Sequence, residues 1–208
     1  MLARAVVFDL GGVLTTSPLP TVSDFLVQSR IPPELVYAWF TNPAGAWARY
    51  ETSILEEQDV LSCMELEASE QGLELDVDGF VQAFFAGFSL REEMIDVVRA
   101  LKGKVALGCL TNTVRRNGAT EMFGLDGAAL FDVVVASCEV GMRKPDPAIY
   151  ELTCRRLGVC PPGVVFLDDY RLNVEAALAA GMTAVLFRSE DQAVRDIENL
   201  TGLELRLR

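Results

Sequence analysis

The sequence predicts an α/β fold: a three-layer, doubly wound parallel sheet that carries an inserted helical segment. Three observations predict it. Short apolar runs recur along the chain without polar alternation, stretches with apolar residues three and four apart lie between them, and one block, residues 18–89, shows helical patterns alone. Unbroken apolar runs suit parallel strands covered on both faces. Strand alternating with helix makes the sheet parallel, and right-handed crossovers make it doubly wound.

The first strand is residues 5–8, Ala-Val-Val-Phe, which runs into Asp9 and then Gly11-Gly12, a strand ending in a loop. Pro18 and Pro20 open the helical block, whose helices are expected at 24–28, 34–40, 56–71 and 77–88. This block is expected to form a cap domain, 18–89, inserted into a core built from 1–17 and 90–208. The core resumes with a helix at 94–101 and strands at 105–110 and 133–136. A helix at 147–157, a strand at 164–167, a helix at 173–180, a strand at 183–187 and a helix at 193–200 complete it. Gly103, Gly158, Gly181 and Gly202 stand just past the helical stretches, as helix terminators do.

Composition narrows the function classes. The 208 residues hold 18 Lys plus Arg against 30 Asp plus Glu, a net charge of −12, which argues against nucleic acid as a partner. Half the residues are hydrophobic and 23% charged, an ordinary globular balance. No His is present, so Ser-His-Asp triads and His-ligated zinc are excluded, and chemistry must come from carboxylates, Lys, Thr or Cys. No apolar run approaches the roughly 20 residues that span a bilayer. Asp9 interrupts the first apolar run and no cleavage site follows, so a cytoplasmic location is expected. Five cysteines without C-x-x-C pairing read as reduced, buried thiols.

In an open parallel sheet ligands sit beyond the carboxyl ends of the strands. Those ends are polar here: Asp9 after the first run, Thr111-Asn112 after the second, Ser137 and then Lys144 after the third, and Asp168-Asp169 after the fourth. Taken singly, each has a plain structural account, since strand-end Asp often caps a turn and most lysines are solvated. Adjacent acids after a buried strand are harder to dismiss, because they repel unless a cation or donors compensate. The set of hard oxygens suits Mg²⁺.

The order Asp, Thr, Lys, Asp-Asp, set in Phe8-Asp9-Leu-Gly-Gly-Val13-Leu14, Leu110-Thr111-Asn112 and Arg143-Lys144-Pro145-Asp146-Pro147, resembles the haloacid dehalogenase-like (HAD) hydrolase superfamily. The resemblance spans the chain. Residues 144–150 and 165–169, with Asn173 following, are similar to the subfamily that contains the phosphatase domain of soluble epoxide hydrolases. A two-component receiver also places Asp, Thr and Lys at strand ends, but puts its acidic pair first and has no cap.

The resemblance implies a Mg²⁺-dependent phosphatase of small phosphorylated metabolites. It makes Asp9 the nucleophile, with Asp9, the Gly11 carbonyl and Asp169 as metal ligands and Asp168 supporting them. Thr111 and Asn112, with Gly12, would bind the phosphoryl oxygens, and Lys144 would neutralise the nucleophile and the developing charge. The chain departs from the pattern at Gly11, where most phosphatases of the superfamily carry the Asp that protonates the leaving oxygen. A general acid is worth roughly 10² to 10⁴ in rate. This favours phosphates with good leaving groups, such as anomeric sugar phosphates or acyl phosphates.

Two other readings stay open. Metal-independent haloacid dehalogenases also lack the second Asp, although the Asp168-Asp169 pair would be a liability there. A member that binds a phosphorylated ligand without turnover is the other. Within the block 18–89, Glu51 is either an acid that reaches the site or an exposed helix acid. Trp39, Trp47, Phe80, Phe84, Phe85 and Phe88 read as cap interior, with one or two of the phenylalanines able to line the substrate entrance. Arg143 orients substrate or is solvated, and the acidic stretch 65–70 reads as a solvated face.

Overall fold

The computed structural model describes residues 2–114 and 126–205. Strand β1 (Ala5–Phe8) is followed by a tight turn over Leu10–Leu14. Five helices come next: α1 (Leu19–Gln28), α2 (Pro33–Thr41), α3 (Ala46–Glu51), α4 (Glu57–Glu70) and α5 (Val77–Ala86). Then follow α6 (Glu92–Leu101), β2 (Ala106–Thr111), α7 (Gly127–Leu130), β3 (Val133–Ala136), α8 (Ser137–Val140) and α9 (Pro147–Leu157). The last elements are β4 (Val164–Asp168), α10 (Arg171–Ala179), β5 (Thr183–Leu186) and α11 (Glu190–Thr201). The strands form one parallel sheet in the order β3-β2-β1-β4-β5.

Alternate residues of the strands feed opposite faces, which is why both faces need apolar side chains. Val6 and Phe8 of β1 join α6 and α11 in one buried cluster, around Met94, Val98 and Ile197. Ala5 and Val7 point the other way, into a cluster with Ile149, Tyr150 and Ala177 of α9 and α10. Local chemistry ends the helices cleanly: Asp146 accepts from the Ala148 N–H at the start of α9, and Gly158 closes it at φ 66°.

Register decides which side chains meet. Phe8 lies level with Cys109 and with Leu167, so Asp9 and Asp168 leave their strands side by side at the carboxyl edge. The Asp9 N–H continues the ladder by donating to the Leu167 carbonyl at 2.9 Å.

Helices α1–α5 bury a third cluster of their own, with Val22, Trp39, Trp47, Val60 and Phe80 at its centre. Phe40 stacks on Phe84 and meets Trp47 edge-on. The chain enters and leaves this bundle through two adjacent segments tied by Thr16, whose N–H donates to the Ser89 carbonyl and whose hydroxyl donates to the Gly87 carbonyl. Several expectations are corrected. Helix α1 starts at Leu19, because Pro20 sits in its first turn where no N–H is required. Helix α3 lay outside the helical stretches read from the sequence, as it is only six residues long and starts without a side-chain cap. The stretch 65–70 is not simply a solvated face, since Glu67 accepts the Trp39 indole N–H at 2.8 Å. Of the cysteines, Cys160 is exposed and Cys63 half-buried. Among the described residues no helix is long and apolar enough to cross a membrane.

Phe80 is 1% exposed in the α1–α5 core. Phe80→Ala should lower unfolding free energy by about 3–5 kcal/mol. Leu66→Ala, at a side chain 60% exposed, should stay within about 0.5 kcal/mol. Urea unfolding followed by tryptophan fluorescence reads this directly, because both tryptophans, Trp39 and Trp47, lie in this core.

Candidate active site

At the carboxyl edge of the sheet the ammonium of Lys144 sits between two carboxylates, 2.7 Å from Asp9 Oδ1 and 2.7 Å from Asp168 Oδ2. It is 1% exposed, so it is not the solvated lysine that the sequence alone allowed. The Phe166 ring lies beneath it, its centroid 5.5 Å away. Burial by itself would push this ammonium down, but Asp168 and Asp9 reverse that and hold it well above the ordinary lysine range. Lys144 is a fixed positive charge.

Its backbone is fixed too. The side-chain Oδ1 of Asn112 accepts the Lys144 N–H at 2.8 Å, and its Nδ2 donates to the Lys144 carbonyl at 3.0 Å. Expected to bind phosphoryl oxygens, Asn112 thus spends much of its side chain on bracketing Lys144. Ser137 does the same one loop away, accepting from the Thr113 N–H and donating to its carbonyl. Thr111 closes β2 and is 2% exposed, with its hydroxyl 3.4 Å from the Asn112 carbonyl.

Asp168 is saturated. Besides Lys144 it accepts from the Tyr170 N–H at 2.8 Å and from the Asn173 amide, 3.1 Å from each carboxylate oxygen. Asp9 is not: the Leu10 N–H, at 2.7 Å, and Lys144 both engage Oδ1. Asp169 lies open to the cleft. Carboxylate oxygens of Asp9, Asp168 and Asp169 all come within 4.8 Å of one another.

Three acids face one lysine, and the imbalance shows in their affinities for protons. Burial raises the Asp9 carboxyl, Lys144 draws it back, and Asp168 and Asp169 push it up again, leaving it well above the usual range. Asp169 is pushed up to about 6 by burial at its base and by the charge of Asp168. A divalent cation would supply the missing charge, and hard oxygens without His or Cys suit Mg²⁺ or Ca²⁺ rather than zinc. Asn173 Oδ1, buried and without a hydrogen-bond partner, is a further oxygen suited to a hydrated cation. The residues therefore fit a metal of this class.

The two glycines after Asp9 differ in kind. Gly12 is at φ 84°, and a Cβ there would stand 2.0 Å from Asp169 Oδ2, so only glycine leaves room for the acid. At Gly11 the backbone is ordinary, φ −70°, and a Cβ would meet only the Phe88 ring at 3.7 Å.

Above the acids a cavity of about 410 Å³ opens between the sheet edge and α1–α5. Asp9, Gly11, Thr111, Lys144 and Asp169 line its floor, and Phe40, Trp47, Phe84, Phe85 and Phe88 much of its wall. The phenylalanines read as helix interior are thus partly wall. Glu51 is not an exposed helix acid: it is buried, lines this cavity, and pairs with half-buried Arg143 at 2.8 Å. Neither the partners of Lys144 nor this pair carries a signal in the sequence, because ion pairing across loops leaves no spacing to read.

A doubly wound sheet with carboxylates and a buried lysine at its carboxyl edge defines an enzyme of the strand-end aspartate type. The chain belongs to the haloacid dehalogenase-like hydrolases, whose family model matches residues 3–181. It is 31% identical to pig (Sus scrofa) bifunctional epoxide hydrolase 2 over 99% of its length and 40% of that protein's. It is 29% identical to mouse (Mus musculus) acyl-CoA dehydrogenase family member 10 over 98% of its length and 20% of that protein's. The chain thus spans well under half of these two curated relatives. A phosphoglycolate phosphatase of Shigella dysenteriae is 30% identical, over 88% of this chain and 80% of its own. Among solved structures, a HAD-like family hydrolase from Porphyromonas gingivalis superposes with a TM-score of 0.73 at 24% identity, covering 98% of this chain and all of its own. A HAD family enzyme from Bacteroides thetaiotaomicron, in complex with magnesium and inorganic phosphate, gives 0.67 at 18% identity, over 89% and 94% of the two chains. An L-2-haloacid dehalogenase gives 0.57 at 25% identity, over 88% and 83%.

Two outcomes follow from the site. Lys144→Ala leaves two buried carboxylates facing each other, and should cost about 3–5 kcal/mol of unfolding free energy at neutral pH, measured by denaturant titration. Asp169, held up to about 6 when folded against an ordinary value of 3.8, binds more protons folded than unfolded between those values. Its contribution therefore favours folding at low pH and is lost as pH rises through about 6. In metal-free buffer the stability of wild type relative to Asp169→Asn should fall across that window and level off above it. Thermal unfolding at a series of pH values checks the sign.

Proposed function

We propose that this chain is a Mg²⁺-dependent phosphatase that hydrolyses a small phosphorylated metabolite through an aspartyl phosphate on Asp9. The observation that carries the reading is the excess of acid around Lys144, three carboxylates within 4.8 Å against one ammonium. Asp9, the Gly11 carbonyl and Asp169 would hold the metal, with Asp168 orienting the group from behind. A bound magnesium ion would neutralise phosphate charge and template the displacement. The phosphatase relative and the magnesium and phosphate complex of the structural neighbour support the same reading.

Each remaining step belongs to a residue. Lys144 and the Leu10 N–H pin Asp9 Oδ1, which leaves Oδ2 to attack phosphorus. Lys144 draws Asp9 toward its ionised form against the cost of burial and counters charge on the transferring group. Thr111 and Asn112 would donate to the phosphoryl oxygens. Residues 18–89 act as a cap over a core of 1–17 and 90–208, excluding water from the first step and readmitting it to cleave the aspartyl phosphate.

Gly11 supplies no proton to the leaving oxygen. The substrates are therefore phosphates whose leaving group departs with little protonation, such as anomeric sugar phosphates. The acid cluster weighs against dehalogenation, in which no phosphoryl charge awaits neutralisation and Asp168 and Asp169 would repel the attacking Asp9 carboxylate.

The test is phosphate release from a panel of phosphate esters with and without Mg²⁺, in wild type and Asp9→Asn. Release that needs both magnesium and Asp9 is expected. Halide release without metal, or tight phosphate binding with no turnover, would replace the reading with one of the alternatives. Gly11→Asp, at a position where a Cβ makes only ordinary contact, should raise turnover of esters with poor leaving groups by about 10² to 10⁴ and flatten the dependence of rate on leaving-group acidity.

A further inference from the structure

A charged pair interrupts the aromatic cavity wall. Glu51 ends α3 and Arg143 follows α8, so the two meet across the seam between the helical bundle and the sheet, 2.8 Å apart. Their side chains are 10% and 17% exposed. The approach is close but poorly aligned: Glu51 Oε2 and Arg143 Nε are both buried without completing a hydrogen bond. Glu51 Oε1 accepts the Trp47 indole N–H at 3.0 Å. The two atoms are held together by charge more than by an aligned hydrogen bond, so a ligand group in the cavity that both donates and accepts can engage both.

The local backbone holds Glu51 in place. Ser53 adopts φ 56°, unusual for a residue with a side chain, and its hydroxyl donates to the Cys138 carbonyl of α8 at 2.8 Å. Such a conformation persists where its surroundings over-determine it, and it clusters at binding sites. The end of α3 is thereby moored to the element that precedes Arg143.

We propose that the Glu51–Arg143 pair selects the leaving group, admitting an uncharged, hydroxyl-bearing group whose apolar face packs on Trp47, Phe40 and Phe84. The pair is neutral as a unit. A hydroxyl both donates and accepts, so it can satisfy Oε2 and Nε together. A carboxylate would gain Arg143 but lie against Glu51, whose side chain is only 10% exposed, and like charges at a buried position repel. Aromatic faces meanwhile favour flat apolar surfaces. This inference rests on the phosphatase reading and narrows it, from any small phosphate with a good leaving group to those that are neutral and hydroxylated beyond the phosphate.

The experiment compares 4-(hydroxymethyl)phenyl phosphate with 4-carboxyphenyl phosphate, whose phenols are of similar acidity. Two readouts are taken: kcat/KM for magnesium-loaded wild type, and affinity for magnesium-loaded Asp9→Asn by calorimetry. The hydroxymethyl ester should be preferred about tenfold or more in both. Glu51→Gln should collapse that preference by improving KM for the carboxyl ester, since Arg143 is then unopposed. Equal kcat/KM and equal affinity for the two esters in the parent proteins would overturn the inference, as would an unchanged preference in folded Glu51→Gln. The comparison in the parent proteins decides the matter without a folded Glu51 variant. If neither ester is hydrolysed yet the binding preference holds, the phosphatase reading fails and the selectivity pair stands; turnover without preference gives the converse.

Discussion

The structure is organised around a buried ammonium. Lys144 lies between Asp9 and Asp168 at 2.7 Å from each, and everything at the sheet edge is arranged to keep it there. Asn112 brackets its backbone, and Asp168 is held by Tyr170 and Asn173. A buried ion pair is weak as a source of net stability but strong as a specification of geometry. The cost of misplacing any member is an uncompensated charge in a dry site. That cost fixes the relative positions of three loops that are far apart in the chain.

One lysine cannot balance three carboxylates, and the acids have divided their tasks accordingly. Asp168 is fully engaged by donors and serves as a fixed post. Asp9 keeps one oxygen uncommitted and Asp169 opens to the cleft. The negative charge that remains is therefore concentrated where a ligand can reach it. In a protein of net charge −12 the surface offers no general attraction for an anionic substrate, so positive charge has to be assembled locally. The acid cluster does that indirectly, by creating a place where a cation is stabilised.

Much of this was legible in the sequence, and the parts that were not have physical causes. Parallel strands reveal themselves because both faces must be apolar, and their ends reveal themselves because the chain turns polar there; Asp9, Thr111, Asp168 and Asp169 fall at those ends. What Lys144 touches could not be read, since a solvated and a buried lysine are spelled alike and the difference lies in loops that converge only in three dimensions. Glu51 was hidden for a second reason. It sits on a six-residue helix that starts at Gly45 without a side-chain cap, too short for periodicity to show. Its partner Arg143 is 92 positions away by number, and such pairs leave no pattern in the sequence. Residue Glu67 shows the same blindness in reverse, an acid in a polar stretch that is spent on the Trp39 indole.

Gly11 and Gly12 look like one flexible turn in the sequence, yet they are glycine for unrelated reasons. Gly12 is a steric necessity, because Asp169 occupies the space a side chain would take and the backbone is left-handed. Nothing of the kind constrains Gly11, whose φ of −70° any residue adopts and whose missing Cβ would make only ordinary contact with the Phe88 ring. The lack of a carboxyl at that position is consequently a choice of chemistry and not a demand of the fold. A site that keeps its nucleophile, lysine and cation-binding acids but forgoes a proton donor has shifted that burden to the other reactant. The leaving group has to be acidic enough to depart alone, and the cavity above Asp9, with its aromatic wall and the Glu51–Arg143 pair, is where that requirement is matched to a particular molecule.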